Sequence, residues 1–163
     1  MAARGRPAAR QFIVPANEVL NAQQIDDESW RLGPLYESMH STEQCLECAA
    51  KRRLLHNNVD CPRCHIATSL VARVDNIDGY RWRCRRCTFT KAVCADSFFK
   101  DSHLHIRQIV IMMYCWARDV PQTEIAHEAD VPAGKTVVDW CGFFRDKAKI
   151  TLKEILTKLV EWT

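Results

Sequence analysis

Apolar positions along the chain change their period twice, and each change marks a new stretch of structure. From Asn17 to about Met39 the chain is acidic, with an interruption at Gly33-Pro34, which predicts one or two short helices. Ser41 or Thr42, followed by Glu43 and Gln44, marks a helix start. Cys45, Cys48, Ala49 and then Arg52 or Arg53 carry that helix to about Leu55, where Asn57-Asn58 ends it. Between 61 and 94 the period shortens to alternation. Leu70 to Val74 and Tyr80 to Arg83 read as a hairpin around Asp75-Asn76-Ile77-Asp78-Gly79, with glycine where a positive φ is cheap. Thr88 to Val93, β-branched and aromatic, reads as a third strand.

After Asp101-Ser102 the period becomes helical. Ile109, Met112, Met113, Trp116 and Val120 predict a buried helix over 103–118. Pro121 opens a second, with Ile125, Ala126 and Ala129 inward, and Val131-Pro132-Ala133-Gly134 breaks it. Val137, Trp140, Cys141, Phe144 and Ala148 form a third stripe. Thr151 with Glu154 has the capping-box pattern ahead of Leu152, Ile155, Leu156, Leu159 and Val160, so a separate amphipathic helix is expected over 151–162, ending at Trp162.

At 163 residues, 47% hydrophobic and 26% charged, the chain suits one ordinary domain or two small ones and is too apolar for a disordered protein. Its longest apolar run, Ile109 to Trp116, is about eight residues against the roughly 20 a membrane helix needs. The net charge of +3 conceals segregation: residues 51–91 carry ten bases and three acids, residues 11–50 one base and seven acids. A basic block of this kind is an electrostatic footprint for a polyanion, with nucleic acid the foremost candidate over a merely solvated basic face.

That block coincides with cysteines. Of nine, six fall in Cys-x-x-Cys pairs, and the amino terminus shows no signal-peptide core, so a reducing, intracellular compartment is expected rather than a disulfide framework. Cys61-Pro-Arg-Cys64, nineteen intervening residues and Cys84-Arg-Arg-Cys87 have zinc-site spacing. Two residues between thiolates let one tight turn aim both sulfurs at one ion, and the spacer suffices for a returning hairpin. Four thiolates leave no open position, so Cys61, Cys64, Cys84 and Cys87 are expected to hold one structural Zn2+. His65 is a rival ligand to an already complete set. Cys45 and Cys48 lie in a helical pattern and read as packing first and a second metal site second. Cys94, Cys115 and Cys141 read as packing.

Gln122-Thr-Glu-Ile-Ala126, leading through Val131 to Thr136-Val-Val-Asp-Trp140, has a helix-turn-helix arrangement. Ala133, Lys135, Thr136 and Asp139 are expected to face outward at the start of the second helix, where the available contacts are a thymine methyl, a phosphate or guanine, and a cytosine amino group. Arg81, Arg83, Arg85 and Arg86 are expected on phosphates. Ala133-Gly-Lys-Thr136 is not a P-loop, because Ala129 stands where the earlier glycine is required and no strand precedes it.

Taken in order, Cys61-Pro-Arg-Cys64, Gly79-Tyr-Arg-Trp-Arg-Cys84, Ser97-Phe-Phe-Lys-Asp-Ser102, the helix ending Tyr114-Cys-Trp116, and Lys135-Thr-Val-Val-Asp-Trp140 followed by Phe144-Arg145 resemble the amino-terminal region of Merlin-type transposases and their bacterial insertion-sequence relatives. The resemblance spans residues 41 to about 149. It implies a zinc ribbon and helix-turn-helix that bind terminal inverted repeats, ahead of a ribonuclease-H-like catalytic domain with acidic metal-binding residues. The turn from Val131 to Thr136 is one residue longer than the family pattern, and only thirteen residues follow Ile150. Asp96, Asp101, Asp119 and Asp139 are scattered and suggest no two-metal site, so no catalytic residue is expected in this chain.

The expectation is therefore an α+β chain, with a small zinc-ribbon β-hairpin unit flanked by an N-terminal helix and a C-terminal helix-turn-helix bundle. Its divisions would be a basic flexible arm (1–16), a helical segment (17–56), the ribbon (57–100) and the helix-turn-helix with its last helix (101–163). The expected task is zinc-dependent binding of double-stranded DNA through the residues above and Arg145, by a truncated or domesticated transposase region, nuclear in a cell that has a nucleus. A homodimer or a full-length transposase is the expected protein partner, with no membrane and no small-molecule substrate. The alternative is a protein-interaction or dimerisation module using the ribbon and the C-terminal helix.

Overall fold

The computed structural model describes residues 10–161, with side chains as far as Leu152. Two compact units divide the chain, Met1–Ile106 and Arg107–Thr163. The fold is α+β, with six α-helices and one three-stranded antiparallel sheet among the described residues.

The first unit runs through a 3-10 turn (Ala16–Glu18), α1 (Ala22–Asp26), α2 (Leu32–Glu37) and α3 (Thr42–Lys51) to strands β1 (Ser69–Ala72), β2 (Tyr80–Arg83) and β3 (Thr90–Ala92), paired in the order β1-β2-β3. Capping boxes start α1 at Asn21 with Gln24 and α3 at Ser41 with Gln44, so Ser41 rather than Thr42 is the cap. The end of α3 comes earlier than the expected Leu55. Arg53 turns left-handed (φ 60°), and Leu54 N–H reaches back to Ala49 O at 2.9 Å while Arg53 N–H bonds Ala50 O at 3.1 Å. This is a Schellman ending, with arginine where glycine is usual.

The sheet register sets Leu70 opposite Trp82 and Trp82 opposite Lys91. Leu70 and Trp82 are both buried, so this face is the inner one at its centre. β1 stops at Ala72, short of the expected Val74, whose side chain is fully exposed in the loop. Gly79 (φ 67°) closes that loop, accepting Arg73 N–H on its carbonyl at 2.7 Å. β3 begins at Thr90 rather than Thr88 because Phe89 O is used to accept Cys84 N–H at 3.0 Å.

Part of the expected basic arm is packed. Ile13 and Val14 are buried, and Leu70 N–H donates to Arg10 O, which extends the sheet beyond β1. The Asn57 side chain accepts from Val14 N–H and donates to Val14 O, both at 2.9 Å, so its amide stands in for a peptide group of a neighbouring strand. Residues 1–9 of the arm lie outside the described residues.

The second unit is helical. α4 (Ile106–Ala117) is entered from the first unit, and α5 (Gln122–Glu128) and α6 (Lys135–Glu161) follow. Ile109, Met112, Ile125, Ala126, Val137, Cys141 and Phe144 are buried, which realises the three apolar stripes except at Ala148, which is exposed because the third stripe outruns the packed part of its helix. α4 and α5 also end in Schellman motifs, at left-handed Asp119 and Asp130, with Val120 N–H on Cys115 O and Val131 N–H on Ala126 O.

The expected break before a separate last helix is absent, and α6 is continuous over 27 residues. Thr151 Oγ1 donates back to Lys147 O at 3.2 Å instead of capping a new start. The capping-box residues act as a start signal only where the preceding chain has left the helix, and no glycine or proline lies between Gly142 and Glu161 to make it leave. The apolar residues expected at 155, 156, 159, 160 and 162 lie outside the described side chains. No described helix is long and apolar enough to cross a membrane.

Ile125 is 1% exposed at the centre of the helical unit. Its replacement by alanine should cost about 2–5 kcal/mol. Native-state hydrogen exchange should show faster exchange across α4 to α6 and unchanged exchange in the sheet.

Candidate metal centre

Two turns at one end of the sheet carry four sulfurs. Asp60 and Ala67 pair across the first, Cys61 N–H bonds Ile66 O at 2.9 Å, and His65 N–H bonds Cys61 O at 2.8 Å. His65 is left-handed (φ 52°), which lets the chain double back straight after Cys64. The second turn leaves β2 directly, and Arg86 N–H points at Cys84 Sγ at 3.3 Å. The pairing of Ser69 with Arg83 brings the two turns together.

The sulfurs of Cys61, Cys64, Cys84 and Cys87 all lie within 4.8 Å of one another, with Cys61 and Cys87 at 3.5 Å. A tetrahedron with bonds of about 2.3 Å has edges of about 3.8 Å, so the cluster is of a size to hold one ion. Cys61 and Cys84 are buried, while Cys64 and Cys87 are partly open.

Ionisation is opposed at one of the thiols and eased at another. Hydrogen bonding with the Cys87 thiol, then burial, then the Cys84 and Cys61 thiols push Cys64 up to about 12. At Cys84 burial raises the pKa, but the backbone N–H groups of Arg86 and Cys87 and the Cys61 and Cys87 thiols together outweigh it and bring it to about 7. One sulfur is thus ready to be a thiolate and another is not. A cation among the four sulfurs would offset the opposition at Cys64, as a metal does for the thiolates that bind it.

The other cysteines are engaged elsewhere. Cys45 Sγ donates to Met39 O at 3.6 Å, and Cys48 Sγ receives Arg52 Nη1 at 3.0 Å, so this pair packs into α3 and joins no metal-sized cluster among the described residues. Cys94 donates to buried Asp78 at 3.0 Å, and burial followed by that carboxylate raises its pKa. Burial raises Cys115 and Cys141 in the helical unit. His65 lies outside the cluster.

Cations surround the centre. Arg83, Arg85 and Arg86 are exposed and make no ion pair among the described residues. Arg63, which sequence reasoning did not single out, is exposed and unpaired in the same way. Its place between Cys61 and Cys64, matching that of Arg85 and Arg86 between Cys84 and Cys87, was the available signal. Arg81 differs, because it is half-buried and braces the hairpin loop through Asn76 Oδ1 at 3.3 Å and Asp75 at 3.8 Å.

In the helical unit, α5 and α6 are joined by the turn 129–134, longer than the three or four residues of a compact helix-turn-helix. Ala133, Lys135, Asp139 and Arg145 are exposed and Thr136 is half-buried. Lys135 Nζ donates to Asp139 Oδ2 at 2.7 Å, so two expected DNA contacts are partners of each other. An exposed pair at this spacing contributes only about 0.3–0.5 kcal/mol and yields readily to another ligand.

No family model, no curated protein and no solved structure matches the chain.

Because the resting thiols hold protons that metal binding must displace, uptake of one divalent ion near pH 7 should release about three to four protons. Affinity should therefore fall as pH is lowered. Competition with a chromophoric chelator between about pH 6 and pH 8 checks the sign, and Cys84→Ser should abolish tight binding.

Proposed function

We propose that this chain binds double-stranded DNA, with a single structural zinc ion building the surface that meets the phosphates. The observation that carries this reading is the set of four exposed guanidinium groups, Arg63, Arg83, Arg85 and Arg86, in no ion pair among the described residues, on and beside the two turns that hold the four-sulfur cluster. Exposed arginines without acidic partners are available to a polyanion, and duplex DNA presents phosphates at a spacing such a patch can follow. Four thiolates suit a soft tetrahedral ion, and zinc is the redox-silent choice.

The helical unit supplies the second half of the proposal. A buried three-helix core supports the exposed first turns of α6, which are suited to reading base edges while the ribbon arginines add affinity without sequence information. The order of parts resembles the amino-terminal region of Merlin-type transposases, and that resemblance favours recognition of terminal inverted repeats by a region that performs no chemistry itself. On this reading its place of work in a nucleated cell is the nucleus, and its protein partner is a second copy or a complete transposase.

A protein-pairing module is the second reading. It is favoured by Ile150 and Leu152 on α6, which are 53% and 57% exposed. A mass by light scattering that rises with protein concentration, with no retention of DNA, would select it.

Binding to a random duplex over a salt series tests the main reading. The slope of log affinity against log salt should be about −0.9 for each phosphate neutralised and should vanish when metal is stripped. Arg85→Ala with Arg86→Ala should weaken all duplexes alike and flatten the slope by about 2. Arg81→Ala should leave the slope nearly unchanged, since that side chain is committed to the hairpin loop. Metal-loaded, folded protein that fails to bind at low salt would overturn the reading.

A further inference from the structure

Gly142 sits inside α6, where glycine lowers helix stability relative to alanine. Helices normally tolerate this where another backbone packs close. Here a Cβ added at Gly142 would meet nothing among the described residues within 4 Å, so no described contact accounts for the missing side chain. By helical geometry Gly142 lies on the side of α6 away from buried Val137, Cys141 and Phe144.

Its neighbours along that outer side are Lys135, Val138 and Arg145, at the three- and four-residue steps that make one stripe. Lys135 and Arg145 are exposed cations about 15 Å apart along the axis. Between them Val138, 52% exposed, presents β-branched methyls to solvent. A stripe with a cation at each end, two methyls and a bare backbone position between them matches the needs of a helix lying in a major groove. The ends meet phosphates, and the middle must come close to base edges, among which the thymine methyl is the apolar one.

We infer that Gly142 and Val138 are specificity-determining positions of a DNA-reading face on α6, in which the absence of a side chain at Gly142 allows the backbone to approach the bases and Val138 contacts a thymine methyl. The inference rests on the DNA-binding reading above and adds residues that the sequence pattern did not single out. It also gives the Lys135–Asp139 pair a role: Asp139 occupies Lys135 until a phosphate takes its place.

The test uses the metal-loaded full chain and a randomised duplex pool, from which the best-retained sequence is selected and compared with a random duplex. Gly142→Ala should raise the melting temperature, because alanine is the better helix former and has room, yet weaken the selected duplex about tenfold or more with little effect on the random one. Val138→Ala should weaken the selected duplex by about three- to fivefold, the effect expected for losing one methyl-sized contact. Replacing thymine by uracil at one position of that duplex should cost the native protein a similar factor and cost Val138→Ala little more. A Gly142→Ala protein that is more stable and binds the selected duplex as well as the native one overturns the inference. So does a destabilised Gly142→Ala protein, which would show that the glycine serves the fold. Failure to retain any duplex would overturn the DNA reading itself, an outcome separate from normal binding that is indifferent to both variants.

Discussion

Four sulfur atoms held this close to one another set the terms for the sheet unit. The Cys64 thiol is held strongly against losing its proton by its neighbours, while the Cys84 thiol beside it is eased toward the thiolate. The strands that bring them together are only three or four residues long, so the sheet has little pairing of its own to stabilise the arrangement. Trp82, fully buried at the sheet centre, and the strap from Arg10 to Val14 with its Asn57 clasp add burial around it. A bound cation would turn the electrostatic liability of the sulfurs into the strongest interaction of the unit.

The arginines gain their exposure from the same geometry. A turn of two residues between ligands leaves its intervening side chains no direction but outward, so Arg63, Arg85 and Arg86 are displayed because the cysteines beside them converge. Arg81 belongs to the strand, where a loop carboxylate and amide lie within reach, and its charge is used inside the fold. On the proposed reading, the same residue type therefore takes two roles set by local backbone rather than by sequence neighbourhood. The helical unit needs no such device, since its three apolar stripes meet in a core of ordinary kind.

The periodicity of apolar residues and the spacing of the cysteines were enough to read the α+β class, the order of elements and the convergence of Cys61, Cys64, Cys84 and Cys87. Helix ends were harder to read. Three helices stop at left-handed residues that are not glycine, Arg53, Asp119 and Asp130, and a pattern search for glycine passes over them. What marks them is the apolar residue that follows, Leu54, Val120 or Val131, whose N–H folds back over the last turn. The opposite error arose at Thr151, where a start pattern stands in the middle of a helix that never stopped. The engagement of Arg81, the Lys135–Asp139 pair and the open space beside Gly142 depend on neighbours that no linear spacing reveals.

The continuity of α6 has a mechanical consequence. Among the described side chains the last buried one on α6 is Phe144, and the backbone runs on as one helix to Glu161. At 1.5 Å per residue the far end stands about 25 Å beyond the last anchored turn, on the axis that the core fixes. The segment is therefore a ruler: whatever is engaged at its tip is set at a constant stand-off from the buried turn at Phe144, a distance that on the proposed reading is close to seven base pairs of duplex at about 3.4 Å each.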